Sequence, residues 1–384
     1  HTGQEGYSMK ATVPQEKLAH GLGLVSRAVA ARSTLPVLGN ILIASDEGRL
    51  RLSATNLELG ITCWIPARIE QNGSTTVPAR TFLDLVGTLP AEQVMLSLDT
   101  RTQTLNVRGG TSTNDIKCID AQEFPPTPSV DLDGAIQLNV ADFREMIQQV
   151  AFAASSDEAR PVLMGVLLQA EKDKLTLAAA DGFRLSVRTA VLATPVPAAI
   201  SAIIPARSLT ELARVAPDGD ETLQMAIPKM RNQVVFRAKD VEVTSQLIDG
   251  TFPDYQQIIP RKHSTRTVVS TNALLKACKQ AEIFAREGSN VARVNIKSAA
   301  GGQPSELEIS AVSEETGKNE TVVEATVDGG GVLIAFNVKF LREALEVIRT
   351  PSVAIEMSAA NAPGVLRPVG DEQFLHVIMP MHLG

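Results

Sequence analysis

The chain has 384 residues, 44% hydrophobic and 21% charged, with a formal net charge of −7 at pH 7. That length predicts about two to four domains, each large enough to bury its own core. No apolar run approaches the ~18 residues of a membrane span, and the negative total excludes a surface coated in positive charge.

His1 to Ser8 read as a residual expression tag ahead of a native start at Met9, so fold reasoning begins there. A strand then leads into an amphipathic helix over Val13 to Arg32, where Pro14 suits the first turn because its missing N–H would have no partner there. Two alternating runs, Ile41 to Ala44 and Arg49 to Ser53, flank Asp46-Glu47-Gly48, a hairpin pattern. Val77-Pro78-Ala79-Arg80 opens a second helix, whose apolar residues Phe82, Val86 and Leu89 stand at offsets of 0, 4 and 7, one helix face. Val94 to Leu98 and Thr104 to Arg108 close the unit, and Phe124-Pro125-Pro126-Thr127-Pro128 is too proline-rich to continue a sheet interior.

The same order then recurs. A helix over Leu138 to Ser155, with Asp142 as N-cap, precedes strands Val166 to Ala170 and Lys174 to Ala178, then Ile204-Pro205-Ala206-Arg207 and the stripe Leu209, Ala213, Ala216. Asp249-Gly250-Thr251-Phe252-Pro253 marks the second joint. The third pass has a helix over Val269 to Arg286 with Thr271 as N-cap, and strands Arg293 to Lys297 and Glu306 to Ala311 joined through Gly301-Gly302-Gln303-Pro304. A degraded copy of the motif, Ala335-Phe336-Asn337-Val338, follows with the stripe Phe340, Ala344, Val347. Phe82 to Leu209 is 127 residues (209 − 82) and Leu209 to Phe340 is 131 (340 − 209), while Pro125, Pro253 and Pro380 lie 128 and 127 apart. A spacing rarely recurs by chance, so the chain is three copies of one unit. The domains are expected at residues 9–128, 136–252 and 254–384, held in fixed relation by short joints. Helices and antiparallel strands are segregated, which predicts an α+β fold with two helices packed on an antiparallel sheet in each domain.

Cys63, Cys118 and Cys278 form no Cys-x-x-Cys pair, which suits idle thiols in a reducing cytoplasm. The histidines are isolated and there is no glycine-rich phosphate loop, Gly329-Gly330-Gly331 reading as a turn. No enzyme activity, cofactor or metal is therefore expected. The six predicted helix segments (14–32, 78–90, 141–160, 205–217, 271–288, 337–350) carry 14 Lys and Arg against 11 Asp and Glu, leaving −10 of the −7 total for everything else. Helices that meet an anionic polymer would show that asymmetry; a solvated helix face gives it too. Aromatics are 4% of the chain, with one Trp and two Tyr, too few for the stacking that single-strand binders use. Any nucleic acid partner should be duplex, held through phosphates without sequence readout. The tail Val377 to Gly384 is apolar and methionine-bearing, which suits a last strand and an adaptable groove for peptides.

The threefold repeat, Leu35-Pro36-Val37-Leu38-Gly39-Asn40, Thr76-Val77-Pro78-Ala79-Arg80, Asp181-Gly182-Phe183-Arg184-Leu185, Asp249-Gly250-Thr251-Phe252-Pro253-Asp254-Tyr255 and the Met-Pro-Met tail together resemble the bacterial DNA polymerase III beta subunits, the sliding clamps, from Met9 to Leu383. The resemblance implies a non-catalytic processivity factor: two chains joined head to tail close six similar domains, each turning about 60°, into a ring around duplex DNA. It implies Arg32 and Arg80 as DNA contacts, with Arg160 and Arg207 added by repeat logic. The loop Asp157 to Val162 is not carried over, because an aspartate there repels phosphate. The implied dimer interface sets Ile283 and Phe284 against the region of Ile116. The implied peptide pocket comprises Leu163, Gly182, Phe183, Arg184, Leu185, Pro253, Ile258, Asn337, Phe340, Val377, Ile378, Met379, Pro380, Met381 and Leu383. Phe183 stands where a His is common, Gln257 for a basic residue, Phe340 for Tyr and His382 for Arg, with Gly384 extra; these leave the groove apolar and bear on partner preference. The implied partners are the replicative polymerase alpha subunit, the clamp loader, and other polymerases and repair proteins through short linear motifs, with no membrane. Two rivals differ in class: a hydrolase or transferase with a scattered site, which no nucleophile, base and metal set supports, and a peptide-binding repeat scaffold that does not act on DNA, which the net charge permits.

Overall fold

The computed structural model describes residues 7–127, 129–229 and 232–383. Residues 1–6 of the expected tag, Pro128 and Gly384 lie outside the described residues. Tyr7 and Ser8, assigned to the tag by the sequence reading, instead open the first strand, Tyr7–Pro14.

Six α-helices are present among the described residues: α1 (Gln15–Val25), α2 (Ala79–Thr88), α3 (Val140–Val150), α4 (Ala206–Val215), α5 (Thr271–Ala285) and α6 (Val338–Glu346). Each is shorter than its predicted segment, mostly at the C-terminal end, and each begins directly where a strand stops. Pro14 and Pro78 are thus the last strand residues and the N-caps of α1 and α2, not first-turn residues. The expected caps also move. Asn139 Oδ1 accepts from the Asp142 amide at 3.0 Å and Ser270 Oγ from the Ala273 amide at 3.3 Å, so Asp142 and Thr271 lie inside the first turn. Asn337 Oδ1 accepts from the Phe340 amide at 3.2 Å in the same way at α6. Each cap oxygen satisfies an amide that the helix itself cannot reach.

The motif helices bury the expected face in α2, through Phe82, Val86 and Leu89. In α4 the buried apolar residues are Leu209, Leu212 and Val215, with Ala213 and Ala216 only half-buried. In α6 they are Val338, Leu341, Ala344 and Leu345, with Ile348 buried just beyond it; of the expected stripe Ala344 is buried, while Phe340 and Val347 are half-buried. The third copy is therefore one residue out of the expected register: Ala79, Ala206 and Val338 are the equivalent first helical positions. Phe340 is released from the core stripe as a result.

Contacts divide the chain into two compact units, 1–142 with 211–247, and 143–210 with 248–384. The first contains a five-stranded antiparallel sheet in the order Arg68–Gln71, Tyr7–Pro14, Gln93–Asp99, Thr104–Gly109, Ser112–Lys117. It also contains an eight-stranded sheet in which Leu59–Pro66 of the first repeat pairs with Val241–Gln246 of the second. The second unit is built on twelve strands, and there Arg184–Val191 of the second repeat pairs with Phe374–Ile378 of the third. The middle repeat is divided between the units because these ladders bind its strands to both neighbours. Among the described residues no helix is long and apolar enough to cross a membrane.

Candidate functional site

In the second unit, Leu185 and Val377 are paired on neighbouring strands, so their side chains share one face. With Phe252, Tyr255 and Val365 they form an apolar cluster beneath the segment that follows the second joint. Ile378, the next residue along, points to the other face and joins the core under α6 with Phe336 and Leu341. A strand's period of two turns alternate side chains to opposite faces, so Ile378 is separated from the Leu185 and Val377 cluster.

The rim is built by the turn Asp181-Gly182-Phe183. Asp181 Oδ1 accepts from the amides of Phe183 (2.9 Å) and Arg184 (3.0 Å), and Gly182 has φ +91. A Cβ there would also stand 3.1 Å from Arg160 Nη1, so glycine serves both the turn and the close approach. The tail is tied to this turn through Met379 N to Phe183 O (2.9 Å) and to strand Val332–Asn337 through Met381 N to Ala335 O (2.8 Å). Arg293 Nη2 holds the Leu383 carbonyl at 2.9 Å. Phe183 is 63% exposed, Ile258 39% and Met379 38%. Pro253 is exposed, and Asn337, Phe340, Pro380, Met381 and Leu383 are half-buried. Leu163, Leu185 and Val377 are buried.

Arg184, paired with Ile378 on the neighbouring strand, points to the α6 face of the sheet, opposite Leu185 and Val377. Its guanidinium lies 4.0 Å from the Phe340 ring centroid and 5.4 Å from that of Phe152, and it donates to Glu343 Oε2 (2.6 Å), Asp181 Oδ2 (3.2 Å) and the Phe152 carbonyl (3.2 Å). Glu343 and Phe152 are partners that the sequence reading missed, because they lie 159 and 32 residues from Arg184 and no local pattern signals them. Beneath them the buried His376 ring stacks on Phe152 at 5.5 Å and its Nδ1 is 2.5 Å from Ser186 Oγ. Burial, and secondarily the Arg184 charge, push the His376 pKa down to about 3, so the ring is neutral.

Of the expected DNA contacts, Arg32, Arg80, Arg160 and Arg207 are all exposed. Arg80 has a 3.8 Å pair with Asp84, itself well exposed, worth little in water. Arg32 lies in the loop beyond α1, and Arg160 lies beside Gly182 at the pocket rim rather than on a helix. Arg80 and Arg207 are the second residues of α2 and α4, and the corrected register adds an equivalent in α6, exposed Lys339. None of these helices has an acidic residue in its first turn. A cation at a helix N-terminus opposes the dipole, so stability does not explain three of them.

Two of the open strand edges among the described residues belong to strands at the two ends of the repeat order. The outer edge of Ser112–Lys117 pairs with no strand among those described, and residues 317–324 of Gly317–Gly329 pair on one side only. Ile116 lies in the first of these strands, but its side chain is 6% exposed and faces its own core. Near the second, Ile283 is 51% exposed, whereas Phe284 is partly buried against the third-repeat core.

The thiols of Cys63 and Cys278 are buried, which pushes the first up to about 12 and raises the second further; Cys118 is raised by burial as well. Thiolates are thereby disfavoured. Among the described residues no three His, Cys, Asp or Glu side chains are grouped to hold a metal ion.

Three family models match in succession: the DNA polymerase III beta subunit N-terminal domain over residues 9–128, its central domain over 137–254 and its C-terminal domain over 256–382. The beta sliding clamp of Bacillus subtilis is 32% identical, covering 97% of this chain and 99% of its own length, and that of Synechococcus elongatus is 34% identical, covering 98% and 100%. Among solved structures, the Bacillus subtilis sliding clamp superposes with a TM-score of 0.92 at 31% identity, covering 98% of this chain and 100% of its own. The Pseudomonas aeruginosa sliding clamp bound to griselimycin gives 0.90 at 27% identity, with the same coverage.

Proposed function

The chain belongs to the DNA polymerase III beta subunit family, and from that premise we propose that it works as a sliding clamp: a non-catalytic processivity factor that encircles duplex DNA and tethers the replicative polymerase. Its domains run over 9–128, 136–252 and 254–384, and it operates in the cytoplasm.

The observation that carries this reading is the junction between repeats. Counting strands within each repeat, Leu59–Pro66, Arg184–Val191 and Gly317–Gly329 are equivalent, as are Ser112–Lys117, Val241–Gln246 and Phe374–Ile378. Both internal junctions pair a strand of the first set with one of the second. Gly317–Gly329 and Ser112–Lys117 are left over, and they are complementary. A second chain repeats the same junction at both ends, giving a head-to-tail homodimer whose contacts are heterologous and close. The interface comes from the backbone edge of Ser112–Lys117, around Ile116, meeting the Ile283 and Phe284 region.

Arg80, Arg207 and Lys339, with Arg32 and Arg160, supply phosphate contacts without base readout; few and salt-screened, they hold a ring that must slide. The rim of Phe183, Ile258, Met379 and Met381 over the floor of Leu163, Leu185 and Val377 seats apolar anchors of short linear motifs from polymerases, loader and repair proteins.

Light scattering should give about 82 kDa, twice the 41.0 kDa chain. Protein placed by a clamp loader on circular DNA should stay bound and then escape when the circle is cut. A monomer retained equally, or not at all, on circular and linear DNA would leave the peptide-binding scaffold as the reading of this acidic chain.

A further inference from the structure

The row of paired residues that floors the peptide pocket continues past it. From Leu185 and Val377 it passes to Val365 on strand Gly364–Pro368 and Glu356 on strand Ser352–Met357, all on one face. Strands lie about 4.8 Å apart, so Glu356 stands roughly 10–14 Å from the apolar floor.

Glu356 borders a cavity of about 190 Å³ whose other walls include Arg261, Lys262, His263, Arg367 and Val365. Both carboxylate oxygens are occupied: Oε2 is 3.0 Å from His263 Nδ1 and Oε1 is 2.5 Å from Arg367 Nε. Arg261 and Lys262 are exposed, and no carboxylate among the described residues is paired with either. Three cations thus face one carboxylate that is already engaged, in a chain of net charge −7.

The cavity is continuous with the pocket in two ways. Val365 lines it and also belongs to the apolar cluster of Leu185, Tyr255 and Val377. The segment carrying Pro253 and Ile258 runs directly on into Pro260 and His263.

We propose that this cavity receives an Asp or Glu side chain of the partner peptide, about three to five extended residues from the anchors that occupy the pocket. The proposal rests on the peptide-docking reading above. A lone cationic cavity at the end of an apolar row fits one carboxylate better than a string of phosphates, which needs cations spaced along a track. Arg261 and Lys262 determine specificity at its mouth, favouring acidic-flanked motifs over neutral ones.

Calorimetry would compare synthetic peptides of three kinds sharing one Leu- and Phe-anchored core: the core alone, the core with Glu-Glu, and the core with Gln-Gln, each flank placed four residues away on one side or the other. Each is titrated into the full chain, the Met381→Ala variant and the double variant Arg261→Glu/Lys262→Glu. The Glu-Glu flank on one side should tighten binding about three- to tenfold at low salt and lose that gain in high salt. The double variant should bind the core normally but show no gain, and Met381→Ala should weaken all three kinds. Equal binding of Glu-Glu and Gln-Gln peptides, or a gain that survives charge reversal, overturns the inference and leaves the pocket standing. Failure of the core itself to bind the full chain overturns the pocket, and this inference with it.

Discussion

His376 is buried with its Nε2 unpartnered among the described residues, and the low pKa that follows makes it a measurable liability in acid. The folded chain refuses a proton that the unfolded chain accepts below about 6.5. Its contribution is intact above that pH and is lost as pH falls toward about 3. Denaturant unfolding should show stability declining by up to about 1.4 kcal/mol per pH unit from this group across that window. In His376→Phe the ring still stacks on Phe152 but this slope should vanish, above a plateau lowered by about 1–3 kcal/mol for the stranded Ser186 hydroxyl. Equal slopes in both proteins would assign the acid sensitivity elsewhere. Arg184, near the same site, donates to two carboxylates and is flanked by two aromatic rings.

At the scale of the element, α2, α4 and α6 present one exposed cation each against their own dipoles. Replacing all three, Arg80→Glu, Arg207→Glu and Lys339→Glu, should therefore separate function from stability. Each substitution exchanges an unfavourable helix charge for a favourable one, about 0.3–1 kcal/mol apiece, so the melting temperature should hold or rise. Retention on circular DNA should fall sharply, and the residual retention should depend less on salt. Unaltered retention would remove these helix starts from the DNA path. The open strand edges make a second element-level prediction. Ile283→Asp together with Val322→Asp places charge beside the 317–324 edge, where Val322 is exposed, and should move the solution mass from about 82 to 41.0 kDa without unfolding. A persisting dimer would mean that the edges do not form the interface.

At the scale of the whole molecule, three repeats produce two contact units because hydrogen-bonded ladders cross both internal boundaries. The repeat itself was legible in the chain: hydrophobic period, proline joints and recurrent spacing are local signals, and they sufficed for the order of strands and helices. The tail was legible too, because an apolar chain end must be packed against something. Cap positions were off by one residue at Thr271 and by three at Asp142, since a strand that ends on the helix leaves no turn signal between them. Periodicity also could not tell Val377 from Ile378, both apolar and adjacent, although they enter different clusters on opposite faces of the sheet. The sequence by itself determined the threefold unit, its α+β character and the family resemblance, because these rest on patterns within short windows. Only the tertiary structure decided the partners of Arg184, 159 residues away at Glu343, the register of α6, the ladders between repeats and the row that links the apolar floor to Glu356. Those depend on which distant strands close on one another, and a local pattern does not specify that choice.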